Sequence, residues 1–450
     1  MTFNREKLQL LLQQEEALFH KNHQRSFALY QEAKKSLFGG VPMLWMIRWA
    51  GSFPIFVEKA GGARFTDVDG NEYIDFCLGD TGAMTGHAPA ATIRAIAEQA
   101  AKGITLMLPY KDVIEVGVEL QRRFGLPKWQ FALTATDANR FALRMARTIT
   151  GRQKVLVFNY CYHGSVDEAF ISLDEEGTPG PRKNNLGPSI DPRETTKVVE
   201  FNDVAALETA LSAGDVAAVL AEPVMTNIGI IHPDPDFHEW LRKLTRKYGT
   251  YLIIDETHTI CAGPGGYTMQ ANLQPDFLTI GKPIAGGVPA AVYGFSDDVA
   301  NAFEAILDRD TSDVGGIGGT LAGNALSIAA MKATLTEVLT EDFYKKAISL
   351  QEKFTQGVES VIVEFSLPWI VKRLGNRSEY WFHPRAPRNG GEAAAAEDHE
   401  LDRFMHLYAL NRGILLTPFH NMALISADTT EADVNYHTNV FRDAVATLIS

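Results

Sequence analysis

The chain has 450 residues, of which 46% are hydrophobic and 22% are charged, so it can bury a large core and does not have the composition of a disordered chain. Its formal net charge of −13 argues against general attraction to nucleic acid or to an anionic membrane, and any phosphate site must be local. The three cysteines, Cys77, Cys161 and Cys261, are widely spaced, which supports neither a disulfide framework nor a cysteine-rich zinc site. This pattern, together with a polar N-terminus that lacks a signal peptide's apolar core, predicts a cytoplasmic protein.

The N-terminal part of the chain is predicted to contain polar helices followed by a β-meander. Residues 7–35 have the pattern of one or two polar helices, which a turn rich in Gly and Pro ends at residues 39–42. Residues 53–58 are predicted to be extended. The stretch 63–76 alternates around Asp69-Gly70, the dipeptide most typical of a tight hairpin turn.

From residue 78 onward, apolar strands alternate with helical patterns such as that of residues 137–150. Buried strands separated by helices predict an α/β fold with a mainly parallel sheet that is covered on both faces. In such sheets ligands bind beyond the carboxyl ends of the strands, so polar residues directly after a strand are the first site candidates. The predicted strands are 130–133, 154–159, 216–221, 251–255, 277–280 and 291–295.

After residue 326 the pattern predicts a second, smaller α+β domain that the N-terminal segment completes. Its predicted elements are helices at 327–339, 341–359 and 431–449, short strand-like pieces, and an acidic loop rich in Gly and Ala at 389–398. We therefore assign residues 1–76 and 331–450 to the small domain and residues 77–330 to the large domain.

Two of the predicted strands end in residues that could carry chemistry. Lys282 follows strand 277–280 between small residues, where another group can approach closely, and a lysine amine can form an imine with an aldehyde. A surface lysine in a glycine-rich turn is the alternative. Asp255 ends strand 251–255, where an acid could keep a pyridinium nitrogen protonated, as pyridoxal phosphate requires, or could simply cap a helix.

Three further segments offer polar groups or glycines. Residues 134–137 precede an amphipathic helix, so hydroxyls and free N–H groups meet at a helix N-terminus, which suits a phosphate or a simple cap. Tyr162 and His163 follow strand 154–159 and place an aromatic face beside an imidazole. The glycine-rich segment 318–324 does not support a dinucleotide site, because a leucine stands where that motif needs its last glycine.

In their order along the chain, these segments resemble the class III aminotransferases of fold type I, which are pyridoxal-phosphate enzymes. The resemblance is stronger to the branch that includes glutamate-1-semialdehyde aminomutase, and it runs from residue 53 to the C-terminus. The matching motifs are TATDA for the family's S-G-T-E-A, CYHG, AEP, LIIDE, IGK followed by GG, and GTLAGN for G-T-x-x-G-N. The resemblance implies a large domain with a mainly parallel central sheet and a small α+β domain built from both chain ends.

The resemblance also implies roles for single residues. Lys282 is expected to bind the cofactor covalently and to move the proton at the substrate α-carbon, Asp255 to pair with the ring nitrogen, and Tyr162 to stack on the ring. Thr320 matches a residue that reaches the phosphate from the neighbouring subunit, which implies a homodimer with shared active sites. Glu222 matches the family's E-P glutamate, to which we give a positional role. The predicted cofactor-binding residues are Ala135, Thr136, Tyr162, Glu222, Asp255, His258, Lys282 and Thr320.

The sequence departs from the family pattern in two places that bear on function. Thr257 and His258 stand where relatives usually carry an aliphatic residue and then Gln or Met. We hypothesise that His258 hydrogen-bonds the cofactor's ring oxygen, with a packed histidine as the alternative. In the aminomutase, an arginine about nine residues before a T-P-L-F stretch binds the substrate carboxylate, whereas counting back from Pro54 places Trp45 there.

An aromatic wall in place of that arginine would favour an apolar amine, because burying an uncompensated carboxylate there is costly. The alternative is that Trp45 and Trp49 are core residues of the small domain. A keto-acid acceptor would still need a cation, and the sequence does not choose among Arg48, Arg377, Arg385 and Arg388. The predicted substrate pocket comprises Trp45, Arg48, Trp49 and Phe419.

We therefore predict an aminotransferase that moves an amino group from a hydrophobic amine or β-amino acid to a keto acid such as pyruvate by a ping-pong mechanism. The alternative is an isomerase of the glutamate-1-semialdehyde 2,1-aminomutase type, against which the missing arginine counts. A nicotinamide-dependent oxidoreductase would share the parallel sheet but would leave Lys282 and Tyr162 unexplained. A non-catalytic scaffold would likewise leave Lys282 and Tyr162 unexplained.

Overall fold

A computed structural model of the chain describes residues 4–186, 190–308, 310–418 and 420–450. The chain divides into two compact units, a smaller one of Met1–Pro89, Asp342–Ala386 and Ala396–Ser450, and a larger one of Ala90–Glu341 and Pro387–Ala395. Within the described ranges, no helix is both long enough and apolar enough to cross a membrane.

The helices and strands are numbered in chain order. The helices are α1 (Arg5–Asn22), α2 (Gln24–Ala33), α3 (Ala90–Ala100), α4 (Val113–Phe124), α5 (Ala135–Thr150), α6 (Val204–Ser212), α7 (Phe237–Lys247), α8 (Gly266–Gln270), α9 (Asp297–Glu304), α10 (Ala325–Ala333), α11 (Glu341–Glu364), α12 (Gly390–Ala395), α13 (His399–Leu410) and α14 (Glu431–Ile449). The strands are β1 (Val57–Gly61), β2 (Arg64–Asp67), β3 (Glu72–Asp75), β4 (Lys128–Ala132), β5 (Lys154–Phe158), β6 (Ile171–Leu173), β7 (Pro179–Pro181), β8 (Thr196–Val199), β9 (Val216–Ala221), β10 (Tyr251–Asp255), β11 (Phe277–Ile280), β12 (Ala291–Phe295), β13 (Ile370–Leu374), β14 (Arg377–Trp381), β15 (Ile414–Leu415) and β16 (Met422–Leu424).

The larger unit is built on a seven-stranded sheet with the strand order β4-β12-β11-β10-β9-β5-β8. Strand β12 runs antiparallel to both of its neighbours, and the other neighbouring pairs are parallel. Every residue of β9 and β11 is buried, as expected for strands that are covered on both faces. This arrangement confirms the predicted α/β fold with a mainly parallel central sheet.

The strand ends that matter for the site agree with the sequence pattern. Strands β9, β10, β11 and β12 begin and end at the predicted residues. Strand β8 was not predicted, because it is a short edge strand that carries a lysine in its centre. The predicted acidic loop at 389–398 is wrong in part, since it contains helix α12. Its alanines favour a helix, and Asn389 caps it by accepting a hydrogen bond from the Glu392 N–H at 2.8 Å.

Helix α5 follows β4 directly and carries the segment predicted to hold a phosphate. The Thr134 side chain accepts from the Asp137 N–H and so caps the helix, which ends at Gly151 in the left-handed conformation. Its apolar face, including Ala138, Phe141 and Ala142, packs in one core cluster with residues of β5, β9 and β12. The N-terminus of α5 is thereby held against the sheet.

The smaller unit combines both ends of the chain. One sheet has the order β1-β2-β3-β15, in which β15 from the C-terminal part pairs in parallel with β3 from the N-terminal part. The hairpin β2-β3 turns at Asp69-Gly70 as predicted. A second sheet, β13-β14-β16, shares a core cluster with helices α11, α13 and α14.

Candidate active site

Four neighbouring parallel strands of the larger unit each lead to one of the predicted site residues. Tyr162 lies in the turn after β5, Glu222 directly follows β9, Asp255 ends β10, and Lys282 lies two residues after β11. These strands are adjacent in the order β11-β10-β9-β5 and point the same way. The structure therefore brings these residues to one edge of the sheet, where ligands bind in open α/β folds.

Asp255 is buried and sits at the centre of a hydrogen-bond network. Its Oδ2 lies 3.0 Å from His163 Nδ1 and accepts from Asn139 Nδ2 at 2.9 Å. Its Oδ1 accepts from the Thr257 N–H at 3.1 Å. Thr279 Oγ1 in turn donates to Asn139 Oδ1 at 2.6 Å, so the amide that holds Asp255 is itself held by strand β11. The carboxylate is fixed from three sides.

These contacts determine the charge states of Asp255 and His163. Burial would raise the pKa of Asp255, but the hydrogen bond and charge of His163, with the bonds from Thr257 and Asn139, outweigh it and lower the pKa to about 2. Burial disfavours a charged His163, whereas its neighbours Cys161 and Asp255 favour it, and the balance raises the pKa of the imidazole. The result is a buried carboxylate that stays ionised at neutral pH.

The N-terminus of α5 lies against two glycine-containing turns. A Cβ on Gly164, whose φ is +74°, would lie 2.0 Å from Thr136 Oγ1, and a Cβ on Gly281 would lie 3.0 Å from the Cβ of Ala135. The Thr136 hydroxyl oxygen accepts from the Ser165 N–H at 3.0 Å, which leaves its own hydrogen to be donated. The first N–H groups of a helix have no partner within the helix and attract anions.

Lys282 has a backbone φ of +51°, a left-handed conformation that is uncommon outside glycine. Its side chain is half-buried, and Nζ lies 2.6 Å from Nε2 of the half-buried His258. The hypothesis that His258 contacts the cofactor's ring oxygen stays a prediction.

Glu222 is buried, and one of its carboxyl oxygens, Oε2, accepts a hydrogen bond from Thr226 Oγ1. The other, Oε1, has no hydrogen-bond partner among the residues that the structure describes, and the same holds for His163 Nε2. Burial raises the pKa of Glu222 to about 7, although the charge of His163 opposes the shift. The site thus holds a carboxyl group that changes charge near neutral pH.

Two residues of the site were missed by the sequence analysis. Asn139 and Thr279 are buried, and they link Asp255 to helix α5 and strand β11. A polar residue on the buried face of α5 was the available signal for Asn139. The only signal for Thr279 was a hydroxyl residue within an apolar strand, and such residues are common in strands that have no functional role.

The remaining predicted residues that the structure describes are Thr320, in the larger unit, and Trp45, Arg48 and Trp49, in the smaller unit. Thr320 is exposed on the single chain, in a turn before α10. In the smaller unit, 43% of Trp45 is exposed, so the alternative that it is a core residue is wrong. Trp49 lines an apolar cavity of about 420 Å³. Arg48 is exposed, and Phe419 lies outside the described residues.

The four candidate arginines differ in their surroundings. Arg377 is buried within the smaller unit, and its Nη2 donates to Thr81 Oγ1 at 2.6 Å and lies 3.6 Å from Asp80 Oδ1. Arg388 pairs with Asp234 in the larger unit. Arg48 and Arg385 are exposed.

Comparison with known proteins identifies the family. Residues 45–427 match the family described as Aminotransferase class-III. The glutamate-1-semialdehyde 2,1-aminomutase of Sorangium cellulosum (strain So ce56) is 32% identical over 430 residues, which cover 94% of this chain and 96% of that protein.

Two solved structures are similar over almost their whole length. A glutamate-1-semialdehyde-aminomutase from Pseudomonas aeruginosa PAO1 is 49% identical, with a TM-score of 0.98 and coverage of 100% of both chains. A variant of it has been crystallised in complex with PMP. An omega-transaminase from Sphaerobacter thermophilus is 26% identical, with a TM-score of 0.86 and coverage of 94% of this chain and 98% of that one. This chain therefore belongs to the class III aminotransferases of fold type I, and its cofactor is pyridoxal phosphate.

Proposed function

We propose that the larger unit binds pyridoxal phosphate at the carboxyl edge of its sheet, with Lys282 as the amine that bonds to the cofactor. The observation that carries this proposal is the placement of Lys282 and Asp255 at the ends of two paired strands, β11 and β10. A reactive amine and a fixed carboxylate on neighbouring strands are the two groups that such a cofactor needs from the protein.

The described residues fit the cofactor's functional groups. Asp255, ionised and hydrogen-bonded from three sides, matches a protonated ring nitrogen. The N-terminus of α5, with Ala135 and Thr136, offers N–H groups and a hydroxyl to a phosphate without a basic patch. The half-buried Tyr162 follows β5 at the same edge and supplies an aromatic face.

When bound, the cofactor acts as an electron sink that stabilises negative charge at the substrate carbon next to nitrogen. Asp255 keeps the ring nitrogen protonated and so strengthens that effect. Lys282 then holds and returns the proton at the substrate carbon, which requires an amine that is unprotonated for part of the cycle. His163 and Asn139 hold the Asp255 carboxylate in place during these steps.

For the substrate, we propose an intramolecular transfer of the glutamate-1-semialdehyde 2,1-aminomutase type. This is the alternative of the sequence analysis, and it now comes first because relatives of that name match the chain over nearly its full length. An enzyme of this type moves an amino group between two carbons of one molecule and needs no separate acceptor.

The second candidate is the predicted transamination of a hydrophobic amine or β-amino acid with a keto acid. One observation favours it: Trp45 stands where the sequence comparison expects the carboxylate-binding arginine. An exposed tryptophan cannot form the two parallel hydrogen bonds that an arginine gives a carboxylate.

Two further proposals concern the oligomeric state and the location of the protein. We propose a homodimer in which Thr320 of each chain reaches the partner's phosphate, which its exposure on the single chain supports. We also propose a reducing, cytoplasmic location, which the three cysteines support, since all are buried and none forms a disulfide within the described residues.

The loaded protein can be assayed with two substrate sets. Glutamate-1-semialdehyde alone tests the isomerase, because the amino group moves within the molecule to give 5-aminolevulinate. The pair 1-phenylethylamine and pyruvate tests the transaminase, because it gives acetophenone and alanine. Product from the first set alone supports the isomerase, whereas product from the second set alone contradicts it and supports the transaminase.

A further inference from the structure

A cleft of about 510 Å³ lies in the larger unit, between helix α7 and the segment that joins α8 to β11. Its volume is within the range of small-molecule sites in proteins. Two buried residues of β10, Leu252 and Ile254, line it. Ile253, between them, packs with α5 in one core cluster, and side chains alternate along a strand. The cleft therefore lies on the face of the sheet opposite to α5, and the proposed function does not use it.

Helix α7 presents neighbouring cationic side chains to this cleft. Leu241 and Leu244 belong to the buried face of the helix. The cations beside that face, Arg242, Lys243 and Arg246, line the cleft. Residues three and four positions apart are neighbours on a helix, and like charges at that spacing destabilise it. Of the three, only Arg246 lies in the last turn, where the helix dipole favours a cation, so the dipole does not account for the other two.

Asp276 neutralises one of the three cations. Its Oδ2 accepts a hydrogen bond from Arg242 Nη1 at 2.8 Å. Arg246 Nη2 donates to Gln274 Oε1, which is a neutral acceptor, at 3.2 Å. Among the residues that the structure describes, neither Arg246 nor Lys243 lies within ion-pair distance of a carboxylate. Two cations that line the cleft thus keep their charge uncompensated, in a chain whose formal net charge is −13.

The surroundings of Lys243 confirm this excess of positive charge. Its Nζ lies 4.2 Å from the centre of the Trp240 ring, which is a cation–π contact and not an ion pair. Glu239, one turn earlier, also lines the cleft, but it is exposed and forms no ion pair with Lys243. His238 lines the cleft as well, but burial lowers its pKa to about 4, so the imidazole is neutral at pH 7 and adds no charge.

We propose that this cleft binds a phosphate monoester that carries an apolar body. Lys243 and Arg246 bind the phosphate, because their two charges match the charge of about −1.5 to −2 of a phosphate monoester at pH 7. Arginine offers a planar fork of N–H groups and lysine a point charge, and both serve in phosphate recognition. The apolar body packs on the side chains of Leu252 and Ile254, which offer no hydrogen-bonding group. This site differs in its chemistry from the proposed cofactor phosphate site, which uses N–H groups and hydroxyls.

Isothermal titration calorimetry with phenyl phosphate tests the site. The measurement uses the protein loaded with pyridoxal phosphate and reduced with borohydride, so that the proposed cofactor phosphate site at α5 is already filled. We expect saturable binding with a Kd below about 1 mM, at least about tenfold tighter than for benzoate or phenol. A weaker Kd for phenyl phosphate, or equal affinity for the three compounds, would overturn the proposal.

The double variant Lys243→Gln with Arg246→Gln locates the binding. Both side chains are exposed, so we expect the variant to fold, and Kd should rise at least about tenfold because two charge-assisted contacts are lost. Lys247→Gln is the matched control, since Lys247 lies on the same helix but pairs with Glu208 at 2.7 Å and lies outside the residues that line the cleft. Its Kd should change less than about twofold. Unchanged affinity in the double variant, or an equal loss in the control, would refute binding in the cleft.

This test can fail independently of the proposed function. The proposed function fails if the cofactor does not bond to Lys282, which is measured by the fixed label. In that case the double variant still separates binding in the cleft from binding at α5. The proposed phosphate site fails on the affinities for phenyl phosphate alone.

Discussion

Replacement of Asn139 by alanine should destabilise the larger unit strongly, although Asn139 is not one of the residues expected to contact the cofactor. Asn139 Nδ2 donates to the ionised Asp255 at 2.9 Å and to the His163 carbonyl oxygen at 3.2 Å, and Oδ1 accepts from Thr279 at 2.6 Å. Asn139→Ala removes all three bonds within a buried site.

The expected loss of stability follows from the two buried groups that would lose a hydrogen-bond partner, the Asp255 carboxylate and the Thr279 hydroxyl. A buried carboxylate that loses one hydrogen bond costs about 1.5–3 kcal/mol, and an orphaned buried hydroxyl costs about 1–3 kcal/mol. Because Asp255 keeps its bonds from His163 and Thr257, we expect a total loss of about 3–5 kcal/mol in the free energy of unfolding.

Urea unfolding of the cofactor-free chain, followed by tryptophan fluorescence, gives this free energy for the wild type and the variant. Asn301→Ala on α9 is the matched control, because that residue is exposed and its replacement should change stability by less than about 0.5 kcal/mol. Thr279→Val should couple to Asn139→Ala, so the double variant should lose less than the sum of the single ones. A loss below about 1 kcal/mol in Asn139→Ala, or strict additivity with Thr279→Val, would refute the account of this network.

Three further predictions follow from the site and the substrate proposal. Burial raises the pKa of Glu222 from 4.5 to about 7, so the contribution of this group to stability is full below about pH 4.5 and is lost as the pH rises through 7. Glu222→Gln should therefore be about 3 kcal/mol more stable than the wild type at pH 8, whereas the exposed control Glu239→Gln should not differ. Gly164→Ala should weaken cofactor binding at least about tenfold in equilibrium dialysis, because its Cβ would lie 2.0 Å from Thr136 Oγ1. Unchanged affinity would contradict the proposed phosphate site at the N-terminus of α5. Trp45→Arg should lower activity on 1-phenylethylamine relative to glutamate-1-semialdehyde, and an unchanged ratio would mean that position 45 does not determine substrate choice.

Residues that follow buried strands could be predicted from the sequence, because their positions depend on local pattern. Runs of apolar residues fixed the ends of β10 and β11, and thereby the neighbourhood of Asp255 and Lys282. Parallel pairing then brought both residues to one edge, which a general rule for such sheets anticipates.

Contacts between distant segments could not be predicted in the same way. The bonds from Asn139 to Asp255 and Thr279 join a helix to two strands more than a hundred residues away, and no local pattern encodes them. The sequence singled out His258 as a departure from the family, but its nearness to Lys282 depends on the geometry of two turns. Similarity of the whole chain to the aminomutases favours the isomerase, whereas Trp45 alone favours the transaminase.

In the proposed function, pyridoxal phosphate bonds covalently to Lys282. Borohydride reduction of the loaded protein, followed by proteolysis and mass spectrometry, identifies the lysine to which the cofactor is fixed. We expect that the visible absorption band of the bound cofactor disappears on reduction, that the label lies on Lys282, and that no label is fixed in Lys282→Ala. A label on another lysine, or a wild-type protein that is fully active without any fixed label, would contradict it.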